Sequence, residues 1–241
     1  DEVVSVAECV VVLGGDGTIL RAAEIARGHQ VPIFGINLGH VGFLAESEPE
    51  DVRASIDRLA ARDIRFEDRM TLDVQVIKDG RVIARSWALN DVAVEKADRG
   101  RMIEMVVEVD GHPLTTFGAD GVVLATPTGS TAYAFSAGGP VVWPEVEALL
   151  LAPISAHALF ARPLVVAPTS TLAVELMERT QPGVIWCDGR RMHDAPPGSR
   201  VVVRRGTEPV CLVRLASPPF TDRLVAKFRL PVTGWRGPAG Q

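Results

Sequence analysis

The run Cys9-Val10-Val11-Val12-Leu13 stops abruptly at Gly14-Gly15-Asp16-Gly17-Thr18. Five apolar, mostly β-branched residues ending at glycines have the composition of a buried strand. From Thr18 onward, Ile19, Ala22, Ala23 and Ala26 recur at helical spacing, and a second apolar run follows from Val31 to Ile36. Strand, glycine-rich turn, helix and strand in that order predict an α/β layer of Rossmann-like type.

The turn itself is a ligand loop in outline. Its glycines let the backbone bend sharply and approach a ligand closely. The helix behind it offers unpaired N–H groups and a positive dipole end, both suited to phosphate. No lysine follows and the spacing is not G-x-G-x-x-G, so neither a P-loop nor a dinucleotide fingerprint is present. Asp16 is the distinguishing residue. A carboxylate beside bound phosphate is repelled unless it holds Mg²⁺ or takes a proton from a nucleophile. The plainer alternative is an Asp-Gly turn that only joins strand to helix.

Working outward, one leading strand is few for such a layer, and the chain opens at Asp1. Residues preceding it, part of the same N-terminal layer, are therefore expected to be missing from this sequence. On the other side, Ser47-Glu48-Pro49-Glu50 reads as a capping box before a helix whose face carries Val52, Ile56 and Leu59. From about Met70 the period falls to two. Leu72, Val74 and Val76 alternate with more polar neighbours until Asp79-Gly80, a hairpin signal that recurs at Asp110-Gly111 and Asp188-Gly189. Val201–Val203 and Val210–Val213 add strands to this β-rich part, which one helical segment near Thr131–Ala137 interrupts. Near the end, Phe220, Leu224 and Phe228 make a helical stripe, capped by Thr221 and stopped by Pro231. The expected division is an α/β nucleotide-binding domain over 1–65, a β-rich domain over 66–218, and a C-terminal helix and tail over 219–241 that returns to the first domain.

Two further stretches carry chemistry. Ala125-Thr126-Pro127-Thr128-Gly129-Ser130-Thr131-Ala132-Tyr133 places small and hydroxyl-bearing residues around a proline and a glycine. Such a loop makes a poor core and can bond a ribose or an amide without charge. Tyr133, the single tyrosine, suits a flat ring. Asn90-Asp91 sets an amide beside a carboxylate, a pair able to grip a vicinal diol, although Asn-Asp also suits an ordinary turn.

Composition excludes other classes. With 241 residues, 47% hydrophobic and 23% charged, the chain can bury a core and is not disordered. A net charge of -5 argues against a nucleic-acid partner, which calls for a basic face. No apolar run is long enough to span a bilayer, so no membrane role is expected. The five histidines are scattered without paired spacing, and no serine lies in a G-x-S-x-G elbow, so neither a zinc site nor a serine hydrolase is supported. Three cysteines without ligand spacing fit a cytoplasmic setting.

Taken together, the three stretches resemble the NAD kinase family, in particular its bacterial ATP- or polyphosphate-using members. That family carries a GGDGT turn, an Asn-acidic pair and a TPTGSTAY segment, matched in order by Gly14–Thr18, Asn90-Asp91 and Thr126–Tyr133. Gly35–Leu44, Ser136–Pro140 and His157–Pro163 are similar as well, and the likeness runs from about Val10 to Trp235. GGDGT alone is shared with lipid kinases and phosphofructokinases; TPTGSTAY is the specific element.

The resemblance implies an α/β N-terminal domain, a mainly β, sandwich-like C-terminal domain, and transfer of a phosphoryl group to the 2′-hydroxyl of the adenosine ribose of NAD. Asp16 matches the general base, Gly17 a position against the substrate, and Gly14, Gly15, Gly17 and Thr18 the phosphate loop. Asn90 and Asp91 match the ribose pair, with Asp91 standing where the family more often has glutamate. Asp120, Thr131, Ala132, Tyr133 and Ser136 match positions lining the NAD site, and Arg21 and Arg101 fall near basic substrate contacts. Mg²⁺, ATP or inorganic polyphosphate as donor, and a homo-oligomer (dimer or tetramer) are implied too. A diacylglycerol-type lipid kinase would leave TPTGSTAY without a role. A non-catalytic NAD(H) sensor would need no carboxylate at residue 16.

Overall fold

In a computed structural model, which describes residues 2–39, 42–46, 51–215 and 219–232, a one-turn helix α1 (Glu2–Ser5) precedes strand β1 (Val10–Leu13). Helix α2 (Asp16–Ala26) then crosses to β2 (Ile33–Ile36), which pairs in parallel with β1, Val10 facing Ile33 and Leu13 facing Ile36. The helix buries Ile19, Leu20, Ala23 and Ala26, a stripe at helical spacing. It starts at Asp16 rather than at Thr18, because a carboxylate in the first turn is favoured by the positive end of the helix dipole. Helix α3 (Val52–Ala60) and β3 (Arg65–Arg69) follow. The capping box expected at Ser47–Glu50 lies outside the described residues.

The chain then builds a second unit, Met70–Pro209. One six-stranded sheet is formed by β4 (Leu72–Lys78), β5 (Arg81–Ala88), β7 (Ile103–Val109), β8 (His112–Ala119), β12 (Leu172–Leu176) and β15 (Arg200–Arg205), in the order β5-β4-β15-β12-β7-β8. The other is formed by β6 (Asp91–Lys96), β9 (Gly121–Ala125), β10 (Leu149–Ile154), β11 (Leu164–Val166), β13 (Gly183–Cys187) and β14 (Arg191–Ala195), in the order β11-β10-β9-β6-β13-β14. The three Asp-Gly hairpins are present. Both residues of each have positive φ: Asp79 51° and Gly80 70°, Asp110 53° and Gly111 78°, Asp188 55° and Gly189 63°. That pairing of angles matches the right-handed strand twist. Alternate residues of the two sheets, among them Val74, Met105, Val174 and Val203 from one and Val94, Leu124, Leu151 and Ile185 from the other, share one apolar core. This is a sandwich. The outer face of the second sheet is capped by a short helix, α4 (Tyr133–Ser136), over Ala93, Val123, Ala125 and Leu150. With both faces covered, every residue of β9 is buried.

Strand β16 (Val210–Arg214) leaves the β-rich unit and returns to the first. It lies between β2, to which it is parallel, and β3, to which it is antiparallel, giving the order β1-β2-β16-β3. The expectation that Val210–Val213 adds to the β-rich sheets is thereby corrected: the partners of this strand are Arg65–Arg69 and Ile33. Phe34, Ile36 and Val213 centre the core of this unit. Helix α5 (Phe220–Phe228) closes the described chain. Pro219 occupies its N-cap, so Thr221 sits inside the helix and is not the cap. Among the described residues no helix is long and apolar enough to cross a membrane.

Candidate active site

In the first unit the glycine-rich turn is held from behind. The Gly14 amide donates to Ile36 O at 2.9 Å, tying the ends of the parallel strands together. Gly14 has φ +151°, and a Cβ there would strike the Thr18 side chain, so the turn demands glycine at this position. Gly15 and Gly17 differ: among the described residues nothing lies within 4 Å of where their Cβ atoms would be.

Asp16 projects from the first turn of that helix, half-buried. Its Oδ2 accepts from the Phe43 amide at 2.9 Å and its Oδ1 from the Leu44 amide at 3.0 Å. Gly42 completes the cradle, since a Cβ there would collide with the Asp16 carboxylate. Gly42, Phe43 and Leu44, at the end of the Gly35–Leu44 segment, therefore fix the plane of one carboxylate. His40 and Val41 of that segment lie outside the described residues.

In the second unit, strand register gathers loops that are far apart in sequence. Asp91 faces Ala125 across β6 and β9, and Val92 faces Cys187 across β6 and β13. The Asn90-Asp91 pair, the segment after Ala125 and the Asp188-Gly189 turn consequently sit at the same end of three neighbouring strands. Thr126 Oγ1 donates to Leu89 O at 2.6 Å, and its amide donates to Asn90 O at 3.0 Å. Asp188, a buried carboxylate, accepts amide hydrogens from Leu89 (2.9 Å), Asn90 (2.7 Å) and Asp91 (3.3 Å) and pairs with Arg191 at 2.8 Å. Arg191 in turn stacks on the Trp87 ring, 4.4 Å from its centroid.

These loops rim a cavity of about 440 Å³ lined by Asn90, Asp91, Glu95, Ala132, Tyr133 and Trp186, among others. Two aromatic rings and several polar groups in a concave site are the usual make-up of a small-molecule pocket. Burial, reinforced by the Asp188 and Glu95 carboxylates, pushes the Asp91 carboxyl up to about 7, against the lowering effect of the Tyr133 amide. At neutral pH it can donate as well as accept. Tyr133 donates its phenol proton to Glu95 Oε1 at 2.5 Å, and burial together with that carboxylate pushes the phenol upward.

The family model described as ATP-NAD kinase N-terminal domain matches residues 2–64, and the one described as ATP-NAD kinase C-terminal domain matches residues 89–215. The chain belongs to the NAD kinase family. NAD kinase 2 of Streptomyces coelicolor is 62% identical over 230 residues, 95% of this chain and 76% of that protein. The NAD kinase of Leifsonia xyli subsp. xyli is 63% identical over 235 residues, 97% of this chain and 77% of that protein. Among solved structures, a yeast NADH kinase complexed with NADH superposes with a TM-score of 0.86 at 27% identity, covering 95% of this chain and 67% of that one. An NAD kinase from Archaeoglobus fulgidus in complex with ATP gives a TM-score of 0.76 at 30% identity, covering 93% and 84%.

Of the NAD kinase positions expected from the sequence, Asn90, Asp91, Ala132 and Tyr133 line the cavity together. Thr131 is half-buried beside it in sequence, its hydroxyl donating to Thr128 O at 3.3 Å, and Ser136 is exposed at the end of α4. Asp120 and Arg101 are not among the cavity-lining residues. Asp120 pairs with Lys96 at 2.5 Å, and this hydrogen bond holds its carboxyl below the usual range. Arg101 is exposed between β6 and β7, and Gln181 donates to its carbonyl. Asp16, Gly17, Arg21 and the remaining loop glycines belong to the first unit. Glu95, Trp186 and Asp188 are additions that sequence reasoning missed. Glu95 was within reach, since it lies two and four residues from Ala93 and Asp91 on one face of a strand. Asp188 was visible only as a hairpin residue.

Proposed function

We propose that the chain transfers the γ-phosphoryl group of ATP, with inorganic polyphosphate as an alternative donor, to the 2′-hydroxyl of the adenosine ribose of NAD, giving NADP. The observation that carries this reading is the carboxylate of Asp16, displayed at a helix N-terminus with both oxygens fixed by the Phe43 and Leu44 amides. A ribose hydroxyl has a pKa far above neutrality, so its attack needs a placed acceptor. As the bond from O2′ to the γ-phosphorus forms, the hydroxyl proton passes to Asp16 and the bond to the bridging oxygen breaks, releasing ADP.

Gly15 and Gly17, which the fold leaves facing open space, suit a backbone kept clear for phosphate, with Gly14 and Thr18 completing that loop. Asn90 and Asp91 are assigned to ribose hydroxyls, Ala132 and Tyr133 to a flat ring, and Thr131, Ser136 and Asp120 to other parts of NAD. Exposed Arg21 and Arg101 are assigned to substrate contacts. Among the described residues no three His, Cys, Asp or Glu side chains are grouped to hold a metal ion. Mg²⁺ commonly binds through one or two carboxylates together with substrate phosphates, and the divalent ion is assigned here to the phosphates of the donor nucleotide. A homo-oligomer and a cytoplasmic setting belong to the same reading, the latter supported by three free cysteines.

The test is NADP formation from NAD, Mg²⁺ and ATP by the parent and by Asp16→Asn. The parent is expected to form NADP, and the variant to keep its fold while losing ~10²–10⁴-fold in kcat. No NADP from a folded parent with either ATP or polyphosphate would end the kinase reading. Near-parent turnover in Asp16→Asn would remove that residue from the role of base.

A further inference from the structure

The segment that cradles Asp16 has a second edge. Its amides point to the carboxylate, while its carbonyls are taken up by the buried Arg214 and the partly buried Arg223. Phe43 O and Ala45 O accept from Arg223 Nη1 at 3.1 and 2.8 Å, and Leu44 O accepts from Arg214 Nη1 at 2.9 Å. Glu46, its side chain 1% exposed, pairs with Arg223 Nη2 at 2.8 Å and with Arg214 Nη1 at 3.1 Å. Phe43 packs its ring against Phe220 and Phe228 of α5, at centroid distances of 5.6 and 6.2 Å. Helix α5 thus grips the segment twice, by aromatic packing and by a guanidinium.

The carbonyl of Phe43 and the amide of Leu44 belong to one peptide group. Arg223 holds its oxygen while Asp16 receives its hydrogen. A charged donor on the carbonyl polarises the amide and strengthens the hydrogen bond at its other end. The planar fork of arginine, bonded here to two carbonyls and a carboxylate, also fixes the tilt of the peptide in a way a lysine cannot. Building on the reading of Asp16 as the base, we propose that Arg223 is a positioning residue for Asp16, acting through the peptide between Phe43 and Leu44. Its contribution is separable from that of the phenylalanines, which hold the segment without aligning the carboxylate.

The experiment uses the full chain with Arg223→Ala and Arg223→Lys, each alone and combined with Asp16→Asn, measuring kcat, KM for NAD and Tm. Arg223→Ala is expected to lower kcat roughly 10- to 100-fold, the scale of small misplacements of a reacting group. KM for NAD should stay close to the parent value, and millimolar guanidinium should restore part of kcat. In the Asp16→Asn background the same substitution should change kcat little, because the group it positions is gone. Arg223→Lys keeps the charge and most of the packing, so a lowered kcat at near-parent Tm supports the proposal even where Arg223→Ala does not fold. Parent kcat in a folded Arg223→Lys, or an equal loss with and without the Asp16 carboxylate, overturns it. Should Asp16→Asn itself turn over like the parent, the reading of the base falls first, and the two failures remain distinguishable.

Discussion

Around Asp16 the backbone of residues 43 and 44 holds a side chain; around Asp188 a side chain holds the backbone of residues 89 to 91. Both arrangements are amide hydrogens meeting a carboxylate, yet their products differ. The first displays a half-buried carboxylate in the first turn of a helix. The second buries its carboxylate, neutralises it with Arg191, and leaves Asn90 and Asp91 to line a cavity. On the proposed reading one contact type serves chemistry in one unit and architecture in the other, and substitutions should separate the two.

The largest effect is expected from Asp188→Ala. It leaves three amides of a tight turn without this acceptor and removes the carboxylate that pairs with Arg191, a disruption of the kind that costs ~3–5 kcal/mol. A marked fall in Tm should accompany it, whereas Asp16→Asn should leave Tm near the parent value. Equal thermal loss in the two variants would erase the contrast. Next comes Gly42→Ala, whose methyl group intrudes on the Asp16 carboxylate. Turnover should drop by roughly 10²-fold with little change in Tm; unchanged turnover would mean that the cradle does not control the base.

Asp91→Asn sharpens the comparison through pH. Because the folded-state carboxyl is raised to about 7, its stabilising contribution is present in acid, when it is protonated, and is lost as pH rises through 7. The parent should lose stability between about pH 4 and 7, by on the order of 1.4 kcal/mol per unit traversed in full. The variant should be flatter across that range and more stable than the parent at pH 8, while binding NAD less well. Thermal melts from pH 4 to 8 decide it, and parallel curves for the two proteins would contradict the assigned cause. The smallest effect is Tyr133→Phe, which removes the hydrogen bond to Glu95 and keeps the ring. A single bond of this kind is worth about 1 kcal/mol, so KM for NAD should rise roughly fivefold without loss of kcat.

The sequence announces what is local. The break at Gly14–Thr18, the three Asp-Gly hairpins and the TPTGSTAY loop each carry their conformation in their residue types, and each stands where it was expected. Long-range pairing was hidden. Asn90-Asp91 also suits an ordinary turn in sequence, yet Asp91 begins a strand, because Asp188 turns the chain at Leu89 and β6 is then buried on both faces. Such a strand shows no alternation to read. Val210–Arg214 resembles the β-rich texture before it, and only its pairing with β2 and β3 assigns it to the first sheet. Arg214 and Arg223 carry no local sign of their role, since nothing marks an arginine that will meet a carbonyl some 170 or 180 residues away.

Strand β16 fills the gap between β2 and β3, although residues 70–209 intervene in the chain. During synthesis, at ~5–20 residues per second, that interval lasts roughly 7–28 s. Through it the β-rich unit is contiguous and free to fold as it emerges, while the sheet carrying the glycine-rich turn waits with an unfinished edge and Glu46 lacks both of its arginines. If Arg223 positions Asp16 as proposed, the carboxylate acquires its fixed orientation only after α5 has been synthesised. A chain cut before α5 would thus keep a contiguous β-rich unit yet lack the arginine proposed to hold Asp16, so that competence would be conferred only after α5 emerges.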